Sequence, residues 1–206
     1  MTGPSWFTSR RSAAILLGSL ALALIGLFDA QAARALRFGP GQGAAVTALG
    51  FWLGHGLVDL TLLAGLYMLA RRLGRPNLRT AAGQAFWAFV LSGVLVQAVK
   101  HLVGRPRPRL VGEYLNLIGP TLAAGTDSFP SGHTATSVAV ALVLSWHYPR
   151  GAPLFMGLAA FVAMSRLTGG AHYPLDVLGG LALGFLAGWG VLRFAQTRRA
   201  NGKADG

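Results

Sequence analysis

The sequence has no cysteine and very few acidic residues. Of its 206 residues, six are Asp or Glu and 12% are charged, whereas 53% are hydrophobic. The absence of cysteine excludes disulfides and thiolate metal sites. The shortage of charge argues against an ordinary water-soluble domain and is typical of a polytopic membrane protein. We therefore expect an all-α fold, a membrane helical bundle that forms a single domain over residues 1–206.

Because acids are scarce, the chain is strongly basic. Its 18 Lys and Arg residues give a formal net charge of +12. In a soluble chain this charge would indicate nucleic acid binding. Here the basic residues lie mainly at the ends of apolar runs, where membrane orientation and contact with anionic lipid both favour them. We expect membrane lipids as partners and no nucleic acid.

Six apolar runs divide the chain, and together with flanking residues each approaches the roughly 20 residues that a bilayer requires. The runs cover residues 12–28, 44–70, 81–103, 134–148, 152–164 and 176–194. Since Ala30-Gln31-Ala32 is similar to a cleavage site, a removable signal peptide is the alternative to a first span. The even count favours the span, so the sequence predicts six transmembrane helices.

The basic residues are distributed unevenly among the connections between runs. Eleven of the 18 lie in residues 1–11, in the 71–79 loop, at Arg150, or from Arg193 to the C-terminus. By the positive-inside rule, these segments are cytoplasmic. This predicts a cytoplasmic N-terminus (1–11) and a polar cytoplasmic tail (196–206). It also predicts that the polar stretches 100–109, 129–133 and 165–176 lie on the outer face of a bacterial inner membrane.

A few residues inside the runs carry further signals. His55 and Asp59 stand one helical turn apart, and because intramembrane ionisable groups are costly we expect them to pair or to face the bundle interior. A proton relay is the alternative. Gly180, Gly184 and Gly188 recur at four-residue spacing, which lets helix backbones pack closely in lipid.

The first of three polar clusters covers residues 100–109. Lys100 ends the third run, and Arg105, Arg107 and Arg109 follow it with prolines that prevent the helix from continuing. Such a cluster attracts anions. Lipid-facing arginines at a membrane edge are the alternative.

The second cluster, residues 129–133, directly precedes the fourth run. Ser131 and Gly132 can offer backbone N–H groups, and Ser131 a hydroxyl, at a helix N-terminus that suits a phosphate. His133 follows at the mouth of this cradle. An ordinary helix cap with a surface histidine is the alternative.

The third cluster, residues 165–176, contains Arg166, His172 and Asp176. A helix beginning near Pro174 would bring the Asp176 carboxylate back to the imidazole, fix its tautomer, and leave the other ring nitrogen free to attack. A structural His–Asp pair is the alternative. Because cations surround these histidines and repel a dication, we expect no metal and no cofactor.

Together the clusters resemble the three-part signature of the type 2 phosphatidic acid phosphatase superfamily. Six residues separate Lys100 from Arg107-Pro108, and residues 130–133 read Pro-Ser-Gly-His. Five residues separate Ser165-Arg166 from His172, and three separate His172 from Asp176. No motif position departs from the pattern. The signature covers residues 100–176, and the six-span layout extends the resemblance over most of the chain.

The resemblance implies a helical bundle, a metal-independent lipid phosphatase and a role for each motif residue. The phosphate would be held by Lys100, Arg107, Ser131, Gly132 and Arg166. His172 would attack phosphorus to form a phosphohistidine, with Asp176 orienting it and His133 protonating the leaving oxygen. The apolar residues Leu115, Leu117, Ile118 and Leu122 indicate an interfacial segment beside the site.

The substrate remains open among lipid phosphate monoesters and pyrophosphates. A phosphotransferase of the same fold would pass the phosphate to another lipid instead of water. The soluble vanadium haloperoxidases share the motif pattern but lack six apolar spans. A non-catalytic protein that binds or transports lipid head groups is a third alternative, although it would not need a nucleophile.

Overall fold

The protein is described from a computed structural model that covers residues 28–39, 41–109 and 117–204. The helices are α1 (28–36), α2 (Ala44–Leu53), α3 (Gly56–Arg72), α4 (Pro76–Val103), α5 (Gly132–His147), α6 (Ala152–Thr168) and α7 (Pro174–Ala204), with a 3₁₀ turn at Pro149–Gly151. Within these described ranges no strand occurs, and one isolated β-bridge joins Arg105 to Asp127. The predicted all-α fold is confirmed.

Among the described residues, three helical segments are long and apolar enough to cross a membrane: Pro76–Val103, Pro149–Thr168 and Pro174–Arg198. Helices α2 and α3 meet at 48° and form a fourth candidate if they are one broken span. The predicted run over 44–70 is therefore not one straight helix, because it breaks where Gly54 and Gly56 flank His55.

Six spans are not confirmed. The predicted first span lies outside the described residues except for residue 28, as does most of the signal-peptide alternative. Helix α5 has 16 residues, a length of roughly 24 Å, which is shorter than the roughly 30 Å hydrocarbon core of a bilayer. Helix α7 continues beyond residue 196, so the first part of the predicted polar tail is helical.

Helix α5 is the centre of the bundle and packs against α4, α6 and α7. The glycines predicted to allow close packing lie on α7 and face α5. A Cβ added at Gly180 would lie 2.6 Å from the Ser131 carbonyl oxygen, and one at Gly188 would lie 3.0 Å from that of Ala139. The close packing predicted from the glycine spacing is confirmed, and it fixes the start of α7 beside the start of α5.

All three polar clusters lie at one end of the bundle. Helices α4 and α6 end there, and α5 and α7 begin there. Helix α4 stops at Gly104, whose φ of 59° is left-handed and whose missing side chain makes room for the Gly119 carbonyl. The exposed Arg71, Arg75 and Arg150 lie at the opposite ends of these helices. The fold therefore separates exposed cations at one end from the candidate site at the other.

Candidate active site

His172 lies in the loop between α6 and α7 and is only 2% exposed. Its Nδ1 is 2.8 Å from the Ser128 carbonyl oxygen and 3.5 Å from Oδ2 of Asp176. Because a carbonyl only accepts hydrogen bonds, Nδ1 carries the proton and Nε2 keeps its lone pair. The predicted tautomer follows, but its main determinant is the backbone of Ser128, and Asp176 is the more distant partner.

Burial lowers the pKa of His172, and the hydrogen bond with Asp176 and the charge of that carboxylate oppose this shift. The cations Arg107 and Lys100 act in the same direction as burial. A lowered pKa keeps the imidazole neutral near neutral pH. His172 is thus an uncharged group with a lone pair on Nε2, as a nucleophile requires.

Asp176 is fully buried at the first turn of α7, which begins at Pro174 as predicted. Its Oδ1 accepts a hydrogen bond of 2.6 Å from Arg105, and its Oδ2 accepts one from the Ser128 hydroxyl and one of 2.8 Å from the Tyr173 N–H. Both carboxylate oxygens are therefore held by the protein. The carboxylate in turn fixes the loop that carries His172.

Arg105 and Asp29 complete this buried network. The sequence reasoning placed Arg105 only in the cluster that attracts anions and gave Asp29 no role. Arg105 is 3% exposed and donates to Asp29 as well as to Asp176. Its guanidinium lies 4.0 Å from the centre of the Tyr173 ring. Asp29 is one of only six acidic residues in an apolar chain. Because burying a charge in such a chain is costly, the sequence itself indicated that Asp29 needs a partner.

Lys100 and Arg107, both predicted to bind phosphate, converge on Asp127. Arg107 donates two hydrogen bonds of 2.8 and 2.6 Å to this carboxylate, and the Lys100 ammonium lies 3.5 Å from it. The Arg107 hydrogen bonds hold the pKa of Asp127 well below its ordinary range. Asp127 was not predicted, although its position two residues before Phe129 in the second cluster placed it near the site.

The second cluster lies at the start of α5, with Ser131 as its N-cap. The Ser131 N–H donates to the Asp176 carbonyl oxygen at 2.9 Å. The prediction that this N–H is offered to a phosphate is therefore wrong, because the packing of α7 on α5 uses it. The Ser131 hydroxyl and the Gly132 N–H keep their predicted positions at the helix N-terminus. Nε2 of His133 is buried without a hydrogen-bond partner.

Arg166 is 6% exposed near the end of α6. It donates to the Thr47 carbonyl at 2.9 Å and to the Ser165 hydroxyl at 3.1 Å. Its guanidinium lies 5.6 Å from the centre of the Phe51 ring, which is itself 5.4 Å from the His133 ring. Phe51 thus joins a residue of the third cluster to one of the second.

The charges show the same convergence of the three clusters. Lys100, Arg166 and His172 all lie within electrostatic range of His133. Arg107 lies within electrostatic range of both Arg166 and His172. Across residues 28–39, 41–109 and 117–204, no three His, Asp or Glu groups lie together as a metal site would require. The chemistry of this end of the bundle suits an oxyanion.

His55 and Asp59 do not pair with each other among the described contacts. The His55 ring lies 5.1 Å from Phe51 and 5.3 Å from Trp52, and its Nδ1 is buried without a partner. Asp59 lines an apolar cavity between α3, α5 and α6, together with Ser137. Of the two arrangements expected, pairing or facing the bundle interior, the structure shows the second for Asp59.

The sequence profile of the PAP2 superfamily matches residues 81–200, a range that contains all three clusters. The chain belongs to the PAP2 superfamily. The resemblance to the type 2 phosphatidic acid phosphatase superfamily is thereby confirmed.

Two curated relatives and one solved structure support this membership. A lipid A 1-phosphatase of Rhizobium etli is 32% identical over 85% of this chain and 78% of its own. A decaprenylphosphoryl-5-phosphoribose phosphatase of Mycobacterium tuberculosis is 35% identical over 72% of this chain and 78% of its own. The crystal structure of Aquifex aeolicus LpxE superposes with a TM-score of 0.63 at 27% identity and covers 81% of this chain and 95% of that one.

Proposed function

We propose that this PAP2 protein hydrolyses a lipid phosphate monoester or pyrophosphate through a phosphohistidine on His172. The observation that carries the proposal is the hydrogen bond from Nδ1 of His172 to the Ser128 carbonyl. It leaves the Nε2 lone pair of a neutral, buried imidazole in a site that contains Lys100, Arg107 and Arg166. A nucleophile beside fixed cations is what phosphoryl transfer requires.

In this proposal the substrate phosphate is held by the three cations. Lys100, Arg107 and Arg166 neutralise the charge of its oxygens, which grows as the transition state forms. The Ser131 hydroxyl and the Gly132 N–H add donors at the N-terminus of α5, where the helix dipole favours an anion. Arg107 makes a bidentate interaction with the Asp127 carboxylate, and it would make the same interaction with a phosphate.

The chemistry proceeds in two displacements. Nε2 of His172 forms a bond to phosphorus as the bond from phosphorus to the lipid oxygen breaks, and His133 gives a proton to that oxygen. Water then attacks phosphorus, His133 takes its proton, and phosphate leaves with restoration of the neutral His172. The unpartnered Nε2 of His133 supports this role, because no other group in the described part of the chain uses it.

The proposed reaction needs no metal ion or other cofactor, since the cations supply the charge neutralisation. We expect activity to be unchanged by EDTA. Loss of activity on EDTA treatment that a divalent ion restores would contradict this part of the proposal.

We propose that the protein spans the inner membrane six times as one domain, with the tail in the cytoplasm and the site at the outer face. The uneven distribution of basic residues supports this orientation. Leu117, Ile118 and Leu122 are 59%, 58% and 83% exposed beside the site, which suits contact with lipid. A reporter fused after Gly206 should be cytoplasmic, and an extracytoplasmic reporter would refute the orientation.

The proposal is tested by phosphate release from a panel of lipid phosphates. The named substrates of the two relatives suggest the first members of this panel: lipid A and a polyprenyl-linked ribose phosphate. Undecaprenyl diphosphate and phosphatidic acid extend it. His172→Ala should abolish release from every lipid that the natural protein hydrolyses, and vanadate should inhibit because it mimics five-coordinate phosphorus.

Three outcomes would contradict the proposal. Full activity of His172→Ala would refute the assignment of the nucleophile. Appearance of a phosphorylated lipid acceptor in place of free phosphate would show a phosphotransferase. Head-group binding without turnover by the natural protein would favour the non-catalytic alternative.

A further inference from the structure

Asp29 lies in α1, more than 70 residues before the first polar cluster, and yet it is fully buried beside the site. Its Oδ2 accepts from Arg105, and its Oδ1 accepts from the Leu175 N–H at 2.8 Å. Burying a carboxylate is costly unless it is paired and hydrogen-bonded. This carboxylate therefore has a specific use at this position.

The Arg105 guanidinium links Asp29 to the His172 loop. One of its terminal nitrogens donates to Asp29 and the other donates to Asp176. The guanidinium also lies against the Tyr173 ring. Because the planar guanidinium is shared between two carboxylates, removing Asp29 frees Arg105 to rotate, and Asp176 then loses a fixed partner.

The three groups also carry a defined charge. With both carboxylates ionised, Asp29, Arg105 and Asp176 sum to one negative charge, whereas Arg105 and Asp176 alone are neutral. The phosphohistidine ring retains its proton on Nδ1 and is cationic, and Lys100 and Arg107 disfavour a cation there. A nearby negative charge stabilises such a cation in a buried site.

Burial raises the pKa of the Asp29 carboxyl, and the hydrogen bonds from Arg105 and from the Leu175 N–H oppose this rise. Both hydrogen bonds are made to oxygens that act as acceptors. This geometry favours the ionised Asp29 carboxylate, which is the form that supplies the negative charge.

We infer that Asp29 is a positioning residue of the phosphatase. Through Arg105 it fixes Asp176 beside His172, and it supplies the negative charge that balances His172 when this histidine is phosphorylated. The inference rests on the proposed function of His172, but Asp29 touches neither His172 nor the phosphate-binding residues among the described contacts.

Asp29→Asn removes the charge and keeps the shape. We expect kcat to fall roughly 10- to 100-fold, as when an outer partner of a functional histidine is lost. KM and the inhibition constant for inorganic phosphate should stay unchanged, because Lys100, Arg107 and Arg166 are intact. Asp29→Glu should recover part of kcat, since it restores the charge but not the spacing. Asp59→Asn is the matched control, an acid in apolar surroundings outside the site, and should keep natural kcat.

Two results would overturn the inference: a natural kcat in folded Asp29→Asn, or a loss of kcat with an equal loss of inhibition by inorganic phosphate, which indicates general distortion of the site. If Asp29→Asn does not fold, Asp29→Glu decides. A folded Glu variant with reduced kcat and unchanged KM supports the inference, and one with natural kcat refutes it.

His172→Ala measured alongside separates the two proposals. If it is active, the proposed nucleophile is wrong. If it is inactive while Asp29→Asn is normal, only this inference fails.

Discussion

The site contains two clusters of arginine and aspartate that differ in exposure. In the inner cluster, Arg105 is shared between Asp29 and Asp176, both fully buried. In the outer cluster, Arg107 and Lys100 share Asp127, whose side chain is 41% exposed. The shortest nitrogen–oxygen contacts are similar in the two clusters. What distinguishes them is whether anything outside the protein can replace a partner.

The difference in exposure determines which cluster can hold a residue in one position and which can exchange a partner. A buried ion pair that loses one partner leaves an uncompensated charge, whereas an exposed pair contributes little because water replaces the partner. The inner cluster is thus suited to holding Asp176 in one position. The outer cluster is suited to exchange, because a substrate phosphate can take the place of Asp127 against Arg107 and Lys100.

The largest expected effect follows from removing the shared guanidinium of the inner cluster. Arg105→Met leaves Asp29 and Asp176 buried without their cation, and we expect a loss of about 3–5 kcal/mol in the free energy of unfolding. Thermal unfolding of the detergent-solubilised protein measures this loss. Arg75→Met, at the exposed opposite end of the bundle, is the control and should change stability by less than about 0.5 kcal/mol. Equal effects of the two substitutions would remove the distinction between buried and exposed arginines.

A smaller effect is expected from Arg107→Lys in the outer cluster. Lysine keeps the charge but cannot make the two parallel hydrogen bonds that Arg107 makes with Asp127. A charge-assisted hydrogen bond contributes roughly 1.5–3 kcal/mol, so the inhibition constant for vanadate should rise about tenfold or more. Thermal stability should change little. An unchanged inhibition constant would show that Arg107 does not hold the phosphate.

The sequence predicted those parts of the site that depend on local spacing. The start of α7 at Pro174, the location of Ser131 at the start of α5 and the close packing of glycines on α7 all follow from residues within one or two helical turns of each other. The convergence of the clusters at one end followed from the alternation of helices and loops. These are features that proline, glycine and helix periodicity encode directly.

The missed contacts join distant parts of the chain or use the backbone. Asp29 and Leu175 are 146 positions apart, and Arg105 and Asp176 are 71 apart. The tautomer of His172 is set by a carbonyl group, which every residue possesses, so the identity of Ser128 gave no signal. The break between α2 and α3 was missed because the run over 44–70 is apolar apart from five scattered residues, Thr47, His55, Asp59, Thr61 and Tyr67.

The smallest expected effect comes from Asp127→Asn. Loss of the carboxylate removes the anion that competes with phosphate for Arg107 and Lys100. Because an exposed ion pair is worth about 0–1 kcal/mol, inhibition by inorganic phosphate should tighten by up to about fivefold, with little change in thermal stability.

The pH dependence makes this last comparison sharper. Since the hydrogen bonds from Arg107 hold the pKa of Asp127 below its ordinary range, the carboxylate stays charged from neutral pH down through its ordinary titration range. A depressed pKa contributes stability above the unfolded pKa, and this contribution is lost only as pH falls through the folded value. The difference in phosphate inhibition between the natural protein and Asp127→Asn should therefore be constant between about pH 5 and pH 6, where Asp127 stays ionised and inorganic phosphate stays mainly a monoanion. Weaker phosphate inhibition of Asp127→Asn would instead show that Asp127 holds Arg107 and Lys100 in place for the phosphate. The outer cluster would then position side chains, as the inner cluster positions Asp176.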